Sequence, residues 1–217
     1  MSQIVLADEI NRTSPKTQSS LLEVMEEGQV TVDGTTYRMP SPFIVLATQN
    51  PVDFVGTYPL PEAQLDRFFM RVSIGYPSQE EEIDILERYT SGARPMEELK
   101  PICSSQDIVK LQQQVDTVYT SREVRAYISA IAAASRRNGA LQLGVSTRAA
   151  ISLLRAGQAR ALLQGRDYVS PEDIQKMAEP VLAHRLVLSP EARMRNMTAQ
   201  RVLGNILGSV QVPVKAR

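Results

Sequence analysis

Two adjacent acids, Asp8 and Glu9, are the residues of this sequence best suited to chemistry. They end the apolar run of residues 3–7, and a run this uniformly apolar is typical of a strand covered on both faces in a parallel sheet. Ligands of such sheets bind beyond the carboxyl ends of the strands. An aspartate at that point can hold Mg²⁺ through water, and a glutamate can orient an attacking water. The alternative is an acidic helix start, because both acids also suit a first helical turn.

A second apolar run ends in polar side chains in the same way. Residues 43–48 precede Gln49, Asn50 and Pro51. If the two runs are parallel strands of one sheet, Asn50 shares an edge with the acids, and its neutral amide can position a water or touch a phosphate oxygen. Asparagine before proline is also an ordinary turn signal, so a simple turn is the alternative.

Two arginines are candidates for binding an anion. Arg67 follows a short helix that begins at Pro61 and precedes a third candidate strand, residues 68–74. Its alternative is a surface ion pair with Asp66. Arg148 lies in the first turn of a helix, where a cation opposes the helix dipole, so it either extends into solvent or binds an anion.

The elements that position these residues follow from capping and periodicity. Ser14 and Pro15 open a helix that ends at Gly28, and Asp33-Gly34 between two β-prone runs predicts a hairpin over residues 29–39. Beyond residue 76 the chain is predicted to be helical, and the single histidine, His184, to cap or pack. The predicted helices, which open on Ser or Thr, are 78–91, 104–115, 121–138, 146–165, 170–184 and 198–210.

Composition excludes several classes of protein. Lys plus Arg equals Asp plus Glu, 24 each, so the chain has no overall basic field for nucleic acid. Cys103 is the only cysteine, which excludes an intrachain disulfide and a Cys/His zinc site. The first residues lack the features of a signal peptide, and no apolar stretch is long enough for a membrane helix. A cytoplasmic protein is expected.

Four blocks of the sequence resemble the MoxR family of AAA+ ATPases. They are residues 6–12, 21–30, 46–51 and 56–68, and residues 165–173 resemble the lid helices of that family. The resemblance runs along essentially the whole chain. It implies an α/β fold in two parts: the C-terminal part of an AAA+ P-loop-type parallel-sheet core over residues 1–76, and an all-helical lid domain over residues 77–217.

The resemblance also implies a role for each candidate residue. Asp8 matches the Walker B aspartate that holds Mg²⁺, and Glu9 the glutamate that polarises the water attacking the γ-phosphate. Asn50 matches sensor 1, which helps to hold that water. Arg67 matches the arginine finger, which serves the nucleotide of a neighbouring subunit, and Arg148 matches sensor 2 on the lid.

Cofactors and partners follow from the same resemblance. ATP and Mg²⁺ are the implied cofactors, and a homo-oligomeric ring, a hexamer, is the implied assembly, with the hairpin of residues 29–39 as the pre-sensor 1 insertion that often lines the pore. The implied function is chaperone-like remodelling or maturation of a protein complex or metalloenzyme, with a partner that carries a von Willebrand factor A domain. The sequence does not identify the client.

One departure from the family pattern is large. None of the five lysines follows a glycine, so the chain contains no G-x-x-x-x-G-K-[ST] phosphate loop, and seven residues precede Asp8. The resemblance then implies the C-terminal portion of a longer ATPase. On its own such a chain is expected to bind ATP poorly, to hydrolyse hardly any, and to expose an apolar flank of its sheet.

Two other functions are compatible with the sequence. The missing phosphate loop favours a non-hydrolysing interaction module derived from such an ATPase. A DNA-dependent motor is the third reading, and the zero net charge and the lack of a basic stripe or aromatic stacking platform argue against nucleic acid as a partner.

Overall fold

Two parallel strands carry the acids on one edge. β1 (Ile4–Ala7) pairs with β4 (Ile44–Ala47), in a register that sets Ile4 opposite Ile44 and Ala7 opposite Ala47. The computed structural model describes residues 2–49, 58–91 and 99–213, so Asn50 lies outside the described residues and its predicted position stays a prediction. The parallel pairing of the two apolar runs is confirmed.

A helix and a hairpin connect these strands. α1 (Pro15–Glu27) begins where the Ser14 hydroxyl accepts a hydrogen bond from the Thr17 N–H, and it ends at Gly28, whose φ of 61° is left-handed. β2 (Gln29–Val32) and β3 (Thr35–Arg38) then form the predicted antiparallel hairpin. The connection therefore runs from the carboxyl end of β1 back to the amino end of β4, as parallel pairing requires.

The two faces of the strand pair differ in burial. Ala47 packs on a small core of Ile10, Leu22 and Leu60, to which α1 contributes. On the opposite face Ile4, Leu6, Ile44 and Leu46 are each at least 49% exposed. The prediction that these strands are covered on both faces is thus wrong for the described part of the chain, where α1 packs on one face only.

Residues 58–77, which follow the strand pair in the described part of the chain, contain a short helix and no third strand. α2 (Glu62–Leu65) confirms the helix predicted to begin at Pro61, whereas the strand predicted over residues 68–74 is wrong. The Arg71 N–H donates to the Pro180 carbonyl at 2.8 Å, and Arg185 donates to the Phe68 carbonyl at 2.6 Å. These groups are satisfied by the helical part of the chain instead of by a neighbouring strand.

The rest of the described chain is mainly helical, as predicted. Two described elements were not predicted: a short antiparallel strand pair, β5 (Leu141–Leu143) and β6 (Val187–Leu188), and the short helix Pro190–Met194. The helices are α3 (Gln79–Thr90), α4 (Ser105–Thr117), α5 (Arg122–Arg136), α6 (Thr147–Leu163), α7 (Pro171–Leu182), α8 (Pro190–Met194) and α9 (Ala199–Ser209). Reciprocal capping boxes start α3, α4 and α7, where an acid three residues after the serine cap bonds back to it.

The larger core lies among the helices. Ile131 on α5, Leu153 on α6, Ile174 on α7 and Leu203 on α9 are at most 1% exposed and belong to one cluster. Each such side chain stabilises the fold by about 1.5 to 3 kcal/mol relative to leaving it exposed. The helical part therefore carries most of the burial, and it is the part of the chain to which residues 66–71 are bonded. The boundary predicted at residue 76 stays a prediction.

Candidate functional site

Thr48 holds the two acids together at the carboxyl edge of the strand pair. Its hydroxyl donates a hydrogen bond to Oδ1 of Asp8 at 2.5 Å and accepts one from the backbone N–H of Glu9 at 2.8 Å. The backbone N–H of Thr48 in turn donates to the Ala7 carbonyl. Thr48, the residue that directly follows β4, thus fixes the orientation of both acids.

Glu9 has an unusual backbone for its residue type. Its φ of 47° and ψ of 53° are left-handed, a region that a non-glycine residue rarely adopts and that is often found at functional sites. The conformation turns the chain sharply after Asp8, into a 3₁₀ turn over Ile10–Arg12. Oε2 of Glu9 forms an ion pair with Nε of Arg12 at 2.9 Å. The side chain therefore points along this turn, at the surface.

A buried glutamine secures the turn behind the acids. Gln18 on α1 is 2% exposed, and its Nε2 donates to the carbonyls of Ile10 at 3.1 Å and Tyr58 at 3.0 Å. The Asn11 carbonyl accepts the Tyr58 N–H at 2.6 Å. These bonds tie the loop that follows the acids to residue 58 and to the start of α1. Gln18 is a polar residue on the otherwise apolar face of α1. That position was its signal in the sequence, and the sequence analysis did not identify it.

Arg67 and Arg148 share one carboxylate. Nη1 of Arg67 lies 2.7 Å from Oε2 of Glu26, and Nη2 of Arg148 lies 2.5 Å from Oε1 of the same side chain. The three groups line a cleft of about 190 Å³ with Met25 and Phe69. All three side chains are partly exposed, so the cluster is a surface feature. Arg148 thus reaches a side-chain carboxylate instead of extending into solvent, and Arg67 pairs with Glu26 and not with Asp66; the role of each arginine in binding a ligand stays a prediction.

The arginine cluster and the acids lie at different ends of α1. The helix begins beside the loop that follows the acids, where Gln18 reaches Ile10, and Glu26 is in its last turn. At about 1.5 Å of rise per residue, Glu26 lies roughly 16 Å along the axis from Pro15. Because α1 returns the chain toward the amino ends of the strands, Glu26 and its two arginines are displaced from the edge that carries Asp8.

A buried arginine anchors the segment that carries Arg67. The Arg185 side chain is 2% exposed and donates through Nη2 to the carbonyls of Phe68 and Phe69, at 2.6 and 3.3 Å, while its Nη1 lies 3.6 Å from Oδ1 of Asp66. The Ser146 hydroxyl also donates to Asp66, at 3.0 Å. Asp66 therefore binds the helical part of the chain, which leaves Arg67 to project toward Glu26.

His184 packs under the same segment, as the packing alternative predicted. Its Nε2 lies 3.2 Å from the Phe68 carbonyl oxygen. Burial lowers the pKa of His184, and the nearby guanidinium groups of Arg185 and Arg71 lower it further, against the opposing effect of the Phe68 carbonyl. Burial also lowers the pKa of Arg185, and Asp66 opposes that shift. The pair therefore consists of a charged arginine beside a histidine that favours its neutral form.

A second buried ion pair belongs to the helical core and not to the candidate site. Asp173 is 1% exposed, and Nη1 and Nη2 of Arg166 donate to its two oxygens at 2.8 and 2.6 Å. Burial raises the pKa of Asp173, but the hydrogen bonds from Arg166 and Ser170 outweigh it, so the pKa lies below its usual range. This pair holds the start of α7 against the end of α6.

Among the described residues, the structure brings together some predicted site residues and separates others. Asp8 and Glu9 are adjacent, Arg67 and Arg148 meet at Glu26, and the two groups are apart. Residues that the sequence reasoning missed are Thr48, Gln18, Glu26 and Arg185. Thr48 had a signal, since it ends an apolar strand, whereas nothing in the sequence pattern singles out Glu26 among its acidic neighbours.

No cluster of three or more His, Cys, Asp or Glu that could hold a metal exists in the part of the chain that the structure describes. A single carboxylate is nevertheless a usual protein contribution to Mg²⁺, which retains waters and binds substrate phosphates. None of the described helices is both long and apolar enough to cross a membrane.

Comparison with known proteins gives two family matches. Residues 1–70 match the family described as ATPase family associated with various cellular activities (AAA), and residues 133–206 match the AAA lid domain. The first match covers the strand pair, the acids and Arg67, and the second covers Arg148 on α6 and Arg185 in the 3₁₀ turn that follows α7.

Individual relatives align along nearly the whole chain. The YeaC protein of Bacillus subtilis is 51% identical over 99% of this chain and 67% of its own length. The chaperone MoxR1 of Mycobacterium tuberculosis is 40% identical over 98% of this chain and 58% of its own length. The crystal structure of a candidate ATPase from Cytophaga hutchinsonii superposes with a TM-score of 0.92 at 39% identity, over 98% of this chain and 67% of that one. The chain thus spans about three fifths to two thirds of the length of these relatives.

Proposed function

We propose that this chain contributes one wall of an ATP-hydrolysing site in a homo-oligomeric ring. The basis is its family: the chain belongs to the MoxR family of AAA+ ATPases. The single observation that carries the proposal is the Thr48 hydroxyl, which fixes Asp8 and Glu9 at the carboxyl edge of a parallel strand pair. That edge is where ligands of such sheets bind.

The donor set around Asp8 fits Mg²⁺ bound with ATP. One oxygen of Asp8 accepts a hydrogen bond from the Thr48 hydroxyl. The carboxylate still has lone pairs for a water-mediated contact to the ion. When bound, Mg²⁺ neutralises charge that develops on the transferred phosphoryl group.

The other residues of the edge act on the attacking water. With ATP bound, the Glu9 carboxylate would accept a hydrogen bond from the attacking water and orient that water toward the γ-phosphate. For this role Glu9 must leave its ion pair with Arg12 at 2.9 Å. Asn50, which lies outside the described residues, is proposed to help hold the same water.

Arg67 and Arg148 are proposed to bind phosphate oxygens of the nucleotide held by a neighbouring copy. The displacement of both side chains from Asp8, by most of the length of α1, supports a role in trans. An arginine supplied in trans to phosphoryl transfer accelerates it by about 10³- to 10⁵-fold. A hexamer is the assembly proposed from the family.

The cellular role is proposed at the level of the family. A relative 40% identical to this chain carries the name chaperone, so we propose ATP-driven remodelling or maturation of a protein complex or metalloenzyme in the cytoplasm. A partner with a von Willebrand factor A domain is part of the same proposal. The two-part organisation, with a nucleotide-binding core over residues 1–76 and a lid over residues 77–217, is the proposed framework.

The absence of a glycine-lysine pair in this sequence favours a second candidate function. In that case the chain alone has no ATP affinity that depends on Mg²⁺ and Asp8, turns over hardly any ATP, and acts as an interaction module that associates with a complete ring. The two functions differ in whether Asp8 contributes to nucleotide binding by this chain.

A nucleotide-binding titration tests the proposal and separates the two functions. A fluorescent ATP analogue is added to the purified chain with and without Mg²⁺, and the oligomeric state is read in the same sample. We expect weak, Mg²⁺-dependent binding that Asp8→Asn removes and Glu9→Gln preserves. Binding that ignores both Mg²⁺ and Asp8→Asn, or no binding, rejects the ATPase role of this chain and supports the interaction module.

A further inference from the structure

The single negative charge of Glu26 forms ion pairs with two arginines. Each of its oxygens contacts a different guanidinium, Arg67 at 2.7 Å and Arg148 at 2.5 Å. The three groups together keep one uncompensated positive charge. A carboxylate that bridges two arginines through separate oxygens has the same contact geometry as two oxygens of a phosphoryl group. Glu26 therefore occupies the position that a phosphate would take between these arginines.

The contacts are of a kind that a stronger anion can displace. The side chains of Glu26 and Arg67 are each 35% exposed, and that of Arg148 is 47% exposed. Ion pairs this accessible to solvent contribute little to stability, about 0 to 1 kcal/mol each. A polyphosphate carries several negative charges and can pair with each arginine through two oxygens. The exchange of Glu26 for phosphate is therefore favourable on charge without a large cost in packing.

The backbones of the two arginines are held so that only their side chains need to move. Arg67 follows Asp66, which is bound by Arg185 and Ser146. Arg148 is in the first turn of α6, whose Ser146 cap accepts the Ala149 N–H. Glu26 lines the same cleft from a different element, the last turn of α1. The cleft can thus open at Glu26 while the two arginines keep their spacing.

We infer that Glu26 is an exchangeable internal counterion, which holds Arg67 and Arg148 as a pair and is displaced by the phosphate chain of a nucleotide on a second copy of the protein. The inference rests on the proposed role of both arginines in trans. It adds that Glu26 controls whether the two arginines can bind phosphate. While they pair with Glu26 they do not bind phosphate, and when phosphate binds them it replaces Glu26.

The test uses inorganic tripolyphosphate, which presents the phosphate chain without the base and without Mg²⁺. Binding to this chain at low salt is measured by calorimetry for the wild type, Glu26→Gln and Glu27→Gln. Glu27 is the matched control, because it lies on the same helix turn and makes no ion pair with a described residue. We expect Glu26→Gln to bind about tenfold more tightly than the wild type, from the loss of two competing exposed ion pairs, and Glu27→Gln to stay within about twofold of it.

A second measurement does not depend on a variant. In the wild type, tripolyphosphate should shift the side-chain NMR resonances of Arg67, Arg148 and the Glu26 carboxyl carbon together. A shift of the arginines without Glu26, equal affinities for the two glutamine variants, or no binding by any of the three proteins overturns the inference. Since Asp8 and Mg²⁺ take no part in this assay, failure of the nucleotide-binding titration leaves its result readable.

Discussion

Thr48 and Asp8 are joined by a hydrogen bond that crosses the strand pair, from the residue after β4 to the residue after β1. Because the same hydroxyl accepts the Glu9 N–H, one side chain orders both acids. The geometry of the candidate catalytic edge is therefore set by a residue with no charge of its own.

Replacement of Thr48 should affect both the fold and the site. Thr48→Val keeps the shape of the side chain and removes both hydrogen bonds, so we expect the free energy of unfolding to fall by about 1 kcal/mol and Mg²⁺-dependent nucleotide binding to weaken. Thr48→Ser retains the hydroxyl and is the control. Chemical denaturation and the fluorescent titration measure the two effects, and equal behaviour of the valine and serine variants would show that the hydroxyl does not order the acids.

Loss of Arg185 should release the segment that carries Arg67. Arg185→Gln removes the guanidinium that binds the Phe68 and Phe69 carbonyls and Asp66, and we expect faster hydrogen exchange at the Arg71 N–H, which donates to Pro180. Arg125→Gln, on an exposed face of α5, is the control and should leave that amide protected. Unchanged exchange in Arg185→Gln would mean that the segment is held by its other contacts.

Two arginine-to-alanine variants should differ in stability according to burial. Arg166→Ala removes the bidentate partner of the buried Asp173 carboxylate, while Nε of Arg160 stays 3.4 Å from it, so we expect a loss of about 2 kcal/mol in the free energy of unfolding. Arg155→Ala breaks an ion pair with Asp116 in which both side chains are more than half exposed, and it should cost less than about 1 kcal/mol. Urea denaturation of both variants measures the difference, and comparable losses would contradict the assignment of Asp173 to the buried core.

The stability of the chain should decrease between neutral pH and mildly acidic pH because of His184. Burial and the adjacent arginines lower its pKa in the folded state, so below the unfolded value of about 6.5 the unfolded chain binds the proton more readily. The contribution is therefore present above pH 6.5 and is lost as the pH falls toward the folded pKa. Denaturation midpoints from pH 7.5 to 5 should decline in the wild type and be flatter in His184→Gln, and parallel curves would assign the decline to other groups.

Helix caps and the hairpin turn had local sequence signals, whereas the contacts of the segment after Arg67 had none. Ser78, Ser104 and Ser170 each bond an acid three residues later, and Asp33-Gly34 turns the hairpin, because caps and turns depend on neighbours within a few residues. The strand predicted after Arg67 failed for the opposite reason. Its sequence suits a strand, but its backbone groups bond to Pro180 and Arg185, which no local pattern reports.

The sequence by itself determined the family, the two apolar strands, the acids at the end of the first strand, and the helices with their caps. Only the tertiary structure decided which charges meet. Glu26 is one acid among several on α1, and Arg67 and Arg148 are surface arginines by local pattern, yet helix packing brings all three to one cleft. The physical reason is that a long charged side chain gains about as much free energy from solvation by water as from a surface ion pair. Which of the two it forms therefore depends on the groups that the fold places near it.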